Sequence, residues 1–369
     1  MSDKARDLAL LALVFAIVVL IRVTAASDLA TGDQPLQVAY IHDIVTNGNW
    51  IVQHLPDGTP AAKPPLYNWL AAIAVTALGD FEGALKLPSM LAGLLAVLLT
   101  WSIARSEYGD NAGFVAGLLF IASPMFSKHV WFARTDMLLT ALVIAQMWAA
   151  QQTRPAVFWT AAALALLTKG PVGVLIPVIA CSAWWWHEHT FGERWNAMRW
   201  KIGLPLSLGA FGVWFGAAIA TGGRAVFDQL VIAETLDRFR AHSSKSKENR
   251  HILYYIPHFF ARMAPVSILA AIAIVRKATQ KLAFWWLTTG FVFLSLIPSK
   301  RADRLFPLLP AACILAAHVV SRWRKPRLVA AVLTVLMLLG IFAYQNGVIP
   351  SNRLEVKETP SAPSPSSRR

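Results

Sequence analysis

The chain has 369 residues, of which 56% are hydrophobic and 15% charged, and its formal net charge is +14. Soluble domains are about one-quarter charged, so this composition excludes an ordinary soluble domain and indicates an integral membrane protein. Much of the positive charge lies in short loops between apolar runs, a pattern typical of topology signals rather than of nucleic-acid binding. Cys181 and Cys313 both lie inside apolar runs, which excludes a disulfide framework and a CxxC metal site.

Apolar runs recur along the chain. The first run, residues 8–26, follows Lys4 and Arg6 and is predicted to be a retained signal anchor. The later runs are residues 84–104, 111–123, 137–150, 156–168, 171–186, 203–220, 253–275, 282–297, 303–320 and 327–345. The pattern predicts an all-α integral membrane protein with about eleven transmembrane helices over residues 1–345, plus amphipathic juxtamembrane helices in the first outer loop, residues 27–83.

The run from Pro64 to Leu78 decides the topology, because it either spans the membrane or lies in the interface. If it lies in the interface, the basic short loops all fall on the inner side, as the positive-inside rule requires. We therefore predict an interfacial helix, with the loops that contain the polar motifs on the outer face. Residues 346–369, rich in proline and serine, are predicted to form a disordered tail on the outer face.

The first outer loop carries two candidate functional residues. Asp33 precedes an apolar pattern at helical spacing, residues 34–45, so it is either an N-cap or a general base at the boundary between water and lipid. Lys63 precedes Pro64 and Pro65, which suit the first turn of a helix. A cation there opposes the helix dipole unless an anion is bound, so Lys63 is a candidate phosphate ligand; the alternative is a lysine that only snorkels.

The later outer loops add further candidates. Arg134 could contact phosphate with its guanidinium, whereas Asp136 could simply cap the span that follows. Lys169 ends a span, where a lysine is favourable in its own right. The long outer loop, residues 221–252, holds the weaker candidates Glu234, Arg238 and His251.

Lys300 and Arg301 form a basic pair on the outer side, against the positive-inside trend, and an anionic lipid partner would explain it. The sequence has no P-loop, no GxGxxG after a strand and no HExxH. These absences argue against nucleotide binding and against zinc-dependent hydrolysis.

The ordered motifs resemble those of the polytopic GT-C glycosyltransferases, in the branch of protein O-mannosyltransferases and lipid A aminoarabinose transferases. The matching positions run in order over roughly residues 8–320. They are Asp33, Gly48-Asn49-Trp50, Lys63-Pro64-Pro65, Arg134-Thr135-Asp136, Thr168-Lys169-Gly170-Pro171, Ser299-Lys300-Arg301 and Pro307-Leu308-Leu309-Pro310. The resemblance implies the GT-C fold.

The resemblance also implies roles. It implies a polyprenyl-phosphate sugar donor that is used at the outer, periplasmic face of a bacterial inner membrane, where the tail 346–369 would also lie. It also implies Asp33 as the base and Asp136 as a shaping carboxylate. Lys63 would bind the donor phosphate, with Arg134, Lys300 and Arg301. The residues implied as possible substrate contacts are Gln34, Tyr67, Lys169, Glu234, Arg238 and His251.

The sequence also departs from the family pattern. Gln34 stands where the family often has Glu, and Gln37 where it often has Tyr. Ala62 replaces the Glu that some relatives use with a metal, so no cofactor is implied and a divalent metal site is in doubt.

The expected function is transfer of a sugar to a lipid, glycan or protein acceptor, with inversion at the anomeric carbon. Membrane lipids are the other expected partners, nucleic acid is not, and the chain is expected to be a monomer. Two alternatives stay open. One is a transporter or flippase for lipid-linked sugars, and the other is an inactive relative that binds polyprenyl lipid. The sequence leaves the sugar and the acceptor open.

Overall fold

The computed structural model describes residues 3–236, 251–276, 280–298 and 300–346. The described part contains sixteen α-helices and no β-strand. In chain order the helices are α1 (Asp3–Val23), α2 (Gln34–Asn47), α3 (Leu66–Leu78), α4 (Glu82–Tyr108), α5 (Asp110–Ala122), α6 (Pro124–Val130), α7 (Thr135–Gln151), α8 (Pro155–Lys169), α9 (Val172–His187), α10 (Phe191–Ala197), α11 (Trp200–Phe227), α12 (Tyr255–Arg262), α13 (Val266–Val275), α14 (Leu282–Leu296), α15 (Leu309–Val320) and α16 (Pro326–Gln345). A 3₁₀ helix, Ala302–Leu308, leads into α15.

The helices form one bundle with a buried centre and an exposed periphery. Nearly every residue of α5, α7 and α15 is buried. By contrast, α11 and α16 expose most of their apolar side chains. A helix that is apolar on its outer face needs an apolar surrounding, so these peripheral helices fit a protein embedded in lipid.

Four helical segments of the described chain are long and apolar enough to cross a membrane: α4, Trp200–Ile232, Ala302–Val320 and α16. The number rises to six if two bent pairs, α5 with α6 and Ile252–Arg262 with α13, each form one span. Several predicted spans correspond to shorter apolar helices, among them α8, α9 and α14. The figure of about eleven spans therefore stays a prediction, whereas the all-helical membrane fold is confirmed.

The first outer loop folds into the two predicted helices. α2 ends at Gly48, whose φ of 72° provides the left-handed cap that glycine adopts at least cost. α3 has 13 residues, which at 1.5 Å per residue reach about 20 Å and fall short of a hydrocarbon core of about 30 Å. Because α5, a predicted span, also has 13 residues, this length does not distinguish a span from an interfacial helix, and the interfacial position stays a prediction.

The long outer loop begins later than predicted. α11 continues through Phe227, and a π-helical segment extends it to Leu236, although a break at Gly223 interrupts the helical backbone. The apolar run 253–275 is also divided, into α12 and α13 at an angle of 117°. All of the predicted tail 346–369 except its first residue lies outside the described residues, as does Arg238.

Candidate active site

Loops that are far apart in the sequence meet at one end of the bundle around Asp33. All three contacting cations approach the same carboxylate oxygen, Oδ2. Arg134 Nη2 lies 3.3 Å from it, Arg301 Nη1 3.4 Å and Lys63 Nζ 3.9 Å. The distances of these three ion pairs all end on Oδ2 and none on Oδ1.

Asp33 occupies the N-cap position of α2, as one of the two sequence interpretations required. Its side chain makes no capping hydrogen bond, however, and points to the three cations instead. Aspartate is favoured at the N-cap because its side chain accepts a hydrogen bond from the free backbone N–H groups of the first turn. The structure therefore favours a role for Asp33 in the charged site over a capping role.

The contact between Asp33 and Arg134 also bears on the topology. α4 and the bent α5–α6 pair lie between Lys63 and Arg134 in the chain, and both are long and apolar enough for one span each. If both cross the membrane and α3 crossed it as well, Asp33 and Arg134 would lie on opposite faces. A separation of 3.3 Å between their side chains therefore supports an interfacial α3.

Arg134 is the centre of the site because each guanidinium nitrogen faces a different carboxylate. Nε lies 3.3 Å from Asp136, Nη1 3.5 Å from Asp303 and Nη2 3.3 Å from Asp33. Arg134 sits at the N-terminus of α7 and is mostly buried. The planar guanidinium can serve three partners at fixed angles, which a lysine ammonium cannot do.

The other two carboxylates have partners of their own. Lys169, at the end of α8, pairs closely with Asp136. Asp303 Oδ1 lies 3.2 Å from Arg262 Nη1 and 3.4 Å from Lys128 Nζ. Thus the lysine that sequence analysis could explain as a helix-end residue belongs to the charged site.

We refer to these nine residues as the Asp33 cluster: Asp33, Lys63, Lys128, Arg134, Asp136, Lys169, Arg262, Arg301 and Asp303. It contains six cations against three carboxylates, an excess of three positive charges. Buried or half-buried charges of one sign are unfavourable unless a counter-ion is bound. The excess suits a phosphate that carries one or two negative charges.

The surroundings change the pKa of several residues in the cluster, among them Asp33 and Lys63. Burial by itself would raise the pKa of Asp33, but the charges of Lys63, Arg301 and Arg134 outweigh it and lower the pKa below the ordinary value. Burial and the neighbouring charge of Lys169 lower the pKa of Lys63 to about 8. Asp33 is therefore ionised at neutral pH, and Lys63 is a cation there but loses its charge at moderately alkaline pH.

Gln34 positions Asp33 beside the Arg134 loop. Its amide NH₂ donates to the carbonyl oxygen of Asp28 at 2.8 Å, and its Oε1 accepts a bond from the backbone N–H of Ala133 at 2.9 Å. Asp28 is in turn paired with Arg22 and with the buried Lys86. Because Gln34 is fully buried and both ends of its amide are bonded, the structure shows it positioning this loop, and the predicted contact with substrate stays a prediction.

A chain of buried amides holds the loop that carries Lys63. Gln37 donates closely to Asn68, and Asn68 donates to Gln53 at 3.1 Å. Gln53 then donates to the carbonyl oxygens of Asn49 and Trp50, at 3.0 and 2.9 Å. These bonds join α2 and α3 to the intervening loop, so they determine where Lys63 lies.

Two further candidates have packing roles in the structure. Tyr67, a possible substrate contact by sequence, is fully buried, and its hydroxyl bonds to Ser89 and to the carbonyl oxygens of Leu85 and Phe132. Lys300, a predicted phosphate ligand, is buried and donates to the carbonyl oxygens of Ser295 and Ile297 at 2.8 and 2.6 Å. We therefore assign neither of them to the site.

The weaker candidates of the long loop do not join the cluster in the described part of the chain. His251 is exposed at the start of a short 3₁₀ turn. The Glu234 side chain, Arg238 and Ser299 lie outside the residues whose side chains the structure describes.

Sequence analysis missed three members of the cluster: Lys128, Arg262 and Asp303. Asp303 follows Arg301 by two residues, so it could have been found as a carboxylate beside a basic pair at the start of an apolar run. Lys128 and Arg262 give no such signal, because they reach Asp303 from 175 and 41 residues away.

The described residues do not fit a metal ion. No group of three His, Cys, Asp or Glu side chains among them could hold one. The three carboxylates of the cluster are separated by the Arg134 guanidinium, and Ala62 contributes no ligand atom. Gln34 Oε1, the remaining nearby oxygen, is bonded to the backbone of Ala133. We derive no step through a metal.

Comparisons with known proteins agree with this fold. The family model described as dolichyl-phosphate-mannose-protein mannosyltransferase matches residues 62–220. The crystal structure of ArnT from Cupriavidus metallidurans bound to undecaprenyl phosphate superimposes with a TM-score of 0.75 at 19% identity, over 95% of this chain and 66% of that chain. An oligosaccharyltransferase from Archaeoglobus fulgidus gives a TM-score of 0.64 at 12% identity, over 93% and 56% of the two chains. The protein thus has the fold of GT-C membrane glycosyltransferases.

The sequence relatives indicate the branch. An undecaprenyl phosphate-alpha-4-amino-4-deoxy-L-arabinose arabinosyl transferase from Proteus mirabilis is 25% identical over 315 residues, which cover 79% of this chain and 56% of the relative. Together with the family match, this confirms the resemblance to the branch of protein O-mannosyltransferases and lipid A aminoarabinose transferases. The chain spans about half the length of the curated relatives it matches.

Proposed function

We propose that the protein is a glycosyltransferase that takes a sugar from a polyprenyl-phosphate donor and transfers it to an acceptor at the outer face of a bacterial inner membrane. The observation that carries the proposal is the contact of one carboxylate oxygen of Asp33 with cations from three separate loops. A site that already gathers cations around an anion is suited to a phosphate. The relatives named for transfer from undecaprenyl phosphate support the donor class.

In the proposed reaction Lys63, Arg134 and Arg301 bind the donor phosphate and stabilise the polyprenyl phosphate that leaves. Asp33 accepts the proton of the acceptor hydroxyl or amine through Oδ1. The acceptor atom forms its bond to the anomeric carbon as the bond from that carbon to the phosphate oxygen breaks. A single displacement of this kind inverts the anomeric configuration.

Donor binding also prepares the base. In the free site three cations hold the pKa of Asp33 below its ordinary value and make it a weak base. A bound phosphate shares those cations, so the pKa of Asp33 rises and the carboxylate becomes a better proton acceptor. The same residues then bind the leaving group and control when the base becomes effective.

The experiment is release of polyprenyl phosphate from an undecaprenyl-phosphate sugar by the purified full chain in lipid, with lipid, glycan and peptide acceptors supplied in parallel because the sugar is released only to an acceptor. Asp33→Asn is expected to lower the rate about 100-fold or more, while it retains donor binding because it removes a competing anion. Asp80→Asn, which changes an exposed carboxylate in the turn between α3 and α4, is the matched control and leaves the rate unchanged. Binding of donor without release by the wild-type chain would instead identify an inactive lipid-binding relative, and retention in the product by anomer-resolved NMR would exclude direct displacement.

A flippase is less well supported. A transporter is expected to place ionisable residues near the middle of the membrane. In the described chain the charged cluster lies at helix ends and in loops: Arg134 and Asp136 begin α7, and Lys169 ends α8.

A further inference from the structure

A cavity of about 600 Å³ lies at the end of the bundle opposite the Asp33 cluster. Two of the segments long enough to span a membrane connect the two sites. Ala302–Val320 has Asp303 at one end and His318 at the other, and α4 runs from Glu82, beside Lys86, to Tyr108. We call this cavity the opposite-end cavity. It is lined by Asp3, Tyr108, Gly109, Asp110, Asn111, His318, Ser321, Arg322 and Arg327.

The carboxylates that line this cavity are neutralised locally. Asp3 pairs with Arg6 at 3.1 Å, and Asp110 pairs closely with Arg105. Among the lining cations, Arg327 is also satisfied, because it holds Asp7 at 2.8 Å and donates to the amide oxygen of Asn111 at 2.8 Å. Arg322 is exposed and has no carboxylate partner among the described residues. The cavity therefore retains one positive charge with no counter-ion from the described chain.

Besides this charge, the lining offers polar atoms that could bind a ligand. The side chain of His318 is mostly buried, with 7% of the residue exposed, and its Nε2 has no hydrogen-bond partner in the described structure. The imidazole packs against Tyr108 with ring centroids 4.3 Å apart. A buried nitrogen without a partner is unfavourable unless a ligand or water completes it. Since Arg327 binds the oxygen of Asn111, the amide NH₂ of Asn111 is available as a donor.

The outer surface beside the cavity is apolar, so lipid acyl chains could pack against it. α16 begins at this end and exposes Leu328, Val332, Leu336 and Leu339, which follow one another at helical spacing along one face. Trp323 is exposed in the turn between α15 and α16, where an indole suits the level of lipid headgroups. The same turn carries Arg324 and Lys325, which attract an anionic membrane surface.

We propose that the opposite-end cavity binds the phosphate of an anionic phospholipid from the leaflet opposite the Asp33 cluster. Arg322 contacts the phosphate, and His318 Nε2 and the Asn111 amide complete the polar contacts of the headgroup. The acyl chains lie along the exposed face of α16. This site is independent of the proposed transferase reaction, since none of its residues belongs to the Asp33 cluster.

The test is binding of phosphatidylglycerol to the delipidated full chain, measured by native mass spectrometry during a lipid titration. Arg322→Gln is expected to weaken binding about tenfold, the effect of losing one charge-assisted hydrogen bond. Arg324→Gln, two residues away in the same turn and outside the cavity lining, is the matched control and is expected to change affinity less than twofold. His318→Phe retains the ring contact with Tyr108 but removes Nε2, and weakens binding several-fold.

Three results would overturn the proposal. Equal losses of affinity in the Arg322 and Arg324 variants would mean that phosphatidylglycerol binding depends only on the total positive charge of this face. Equal affinity for phosphatidylcholine would mean that the site does not select an anionic headgroup. Inorganic phosphate or glycerol phosphate that binds as tightly as the lipid would identify a soluble anion as the ligand. Thermal unfolding of each variant, measured in the same detergent, shows whether the fold is retained.

Discussion

Charged side chains form a shared network at one end of the bundle and separate ion pairs at the other. At the Asp33 end, Arg134 is shared by three carboxylates, and Asp33 and Asp303 each contact three cations. At the other end each lining carboxylate has one basic partner, as in the pairs Arg105–Asp110 and Arg6–Asp3. A shared network couples its members, so that a change in one alters the others, whereas separate surface pairs act independently and contribute little.

The difference also separates two kinds of anion site. The Asp33 cluster holds cations in place with the protein's own carboxylates, and an arriving phosphate competes with those carboxylates. The opposite-end cavity has a single unneutralised cation, Arg322, within a polar lining. The first arrangement suits a site in which a reacting anion must be bound and then released, and the second suits a resident lipid.

Replacement of the shared arginine is the largest expected perturbation. Arg134→Gln leaves three carboxylates without their common partner, so we expect at least a 100-fold loss of kcat/KM and a free energy of unfolding lower by about 3 kcal/mol. Arg134→Lys keeps the charge but not the three-way geometry and is expected to recover stability more than activity. Sugar-transfer assays and denaturant titrations measure the two effects. Near-wild-type activity in Arg134→Gln would refute a coupled network.

The next effect concerns pH. The pKa of Lys63 is about 8 in the free site, and a bound phosphate raises it. The protein therefore binds the donor with its full affinity only while free Lys63 is charged, which is the case at pH values below about 8. Affinity then falls as pH rises through the free and bound pKa values, by up to about tenfold per pH unit. Donor titrations between pH 7 and 10 would record the decline. Lys63→Arg keeps its charge over this range, so its profile should be flat; a wild-type decline that persists in Lys63→Arg would assign it to another group.

A smaller effect is expected from the residue that positions Asp33. Gln34→Ala removes the bonds to Asp28 and Ala133, so Asp33 is less well aligned and kcat is expected to fall about tenfold. KM for the donor is expected to stay close to wild type, because Lys63 and Arg301 reach the site from other loops. Gln152→Ala, an exposed glutamine after α7, is the control. A rise in KM with unchanged kcat would restore the predicted role of Gln34 as a substrate contact.

The smallest effect belongs to the opposite end. Arg105→Gln removes an exposed pair with Asp110, so we expect less than about 1 kcal/mol of lost stability and unchanged sugar transfer. Thermal unfolding and the transfer assay test this directly. A loss comparable to that of Arg134→Gln would erase the distinction between the two ends.

Several helix boundaries followed closely from the sequence, because hydrocarbon favours continuous apolar runs and loops collect the charge, although the run 253–275 is divided into α12 and α13. The predicted runs 111–123 and 327–345 correspond to α5 and α16 within one residue at each end. The site was predicted in part. Asp33, Lys63, Arg134 and Arg301 meet as the ordered motifs suggested, whereas the ammonium of Lys300, adjacent to Arg301, bonds to backbone carbonyl oxygens.

By itself the sequence determined which segments are apolar, where several of the helices end, and that cations and carboxylates gather in the loops between them. These features follow from local composition and from the exclusion of charge by lipid. Only the tertiary structure decided which charges meet. Asp33 and Arg301 are 268 residues apart, and the three-way role of Arg134 depends on how α7 packs beside Asp303. Contacts between distant residues depend on packing geometry, which residue type and spacing along the chain do not specify.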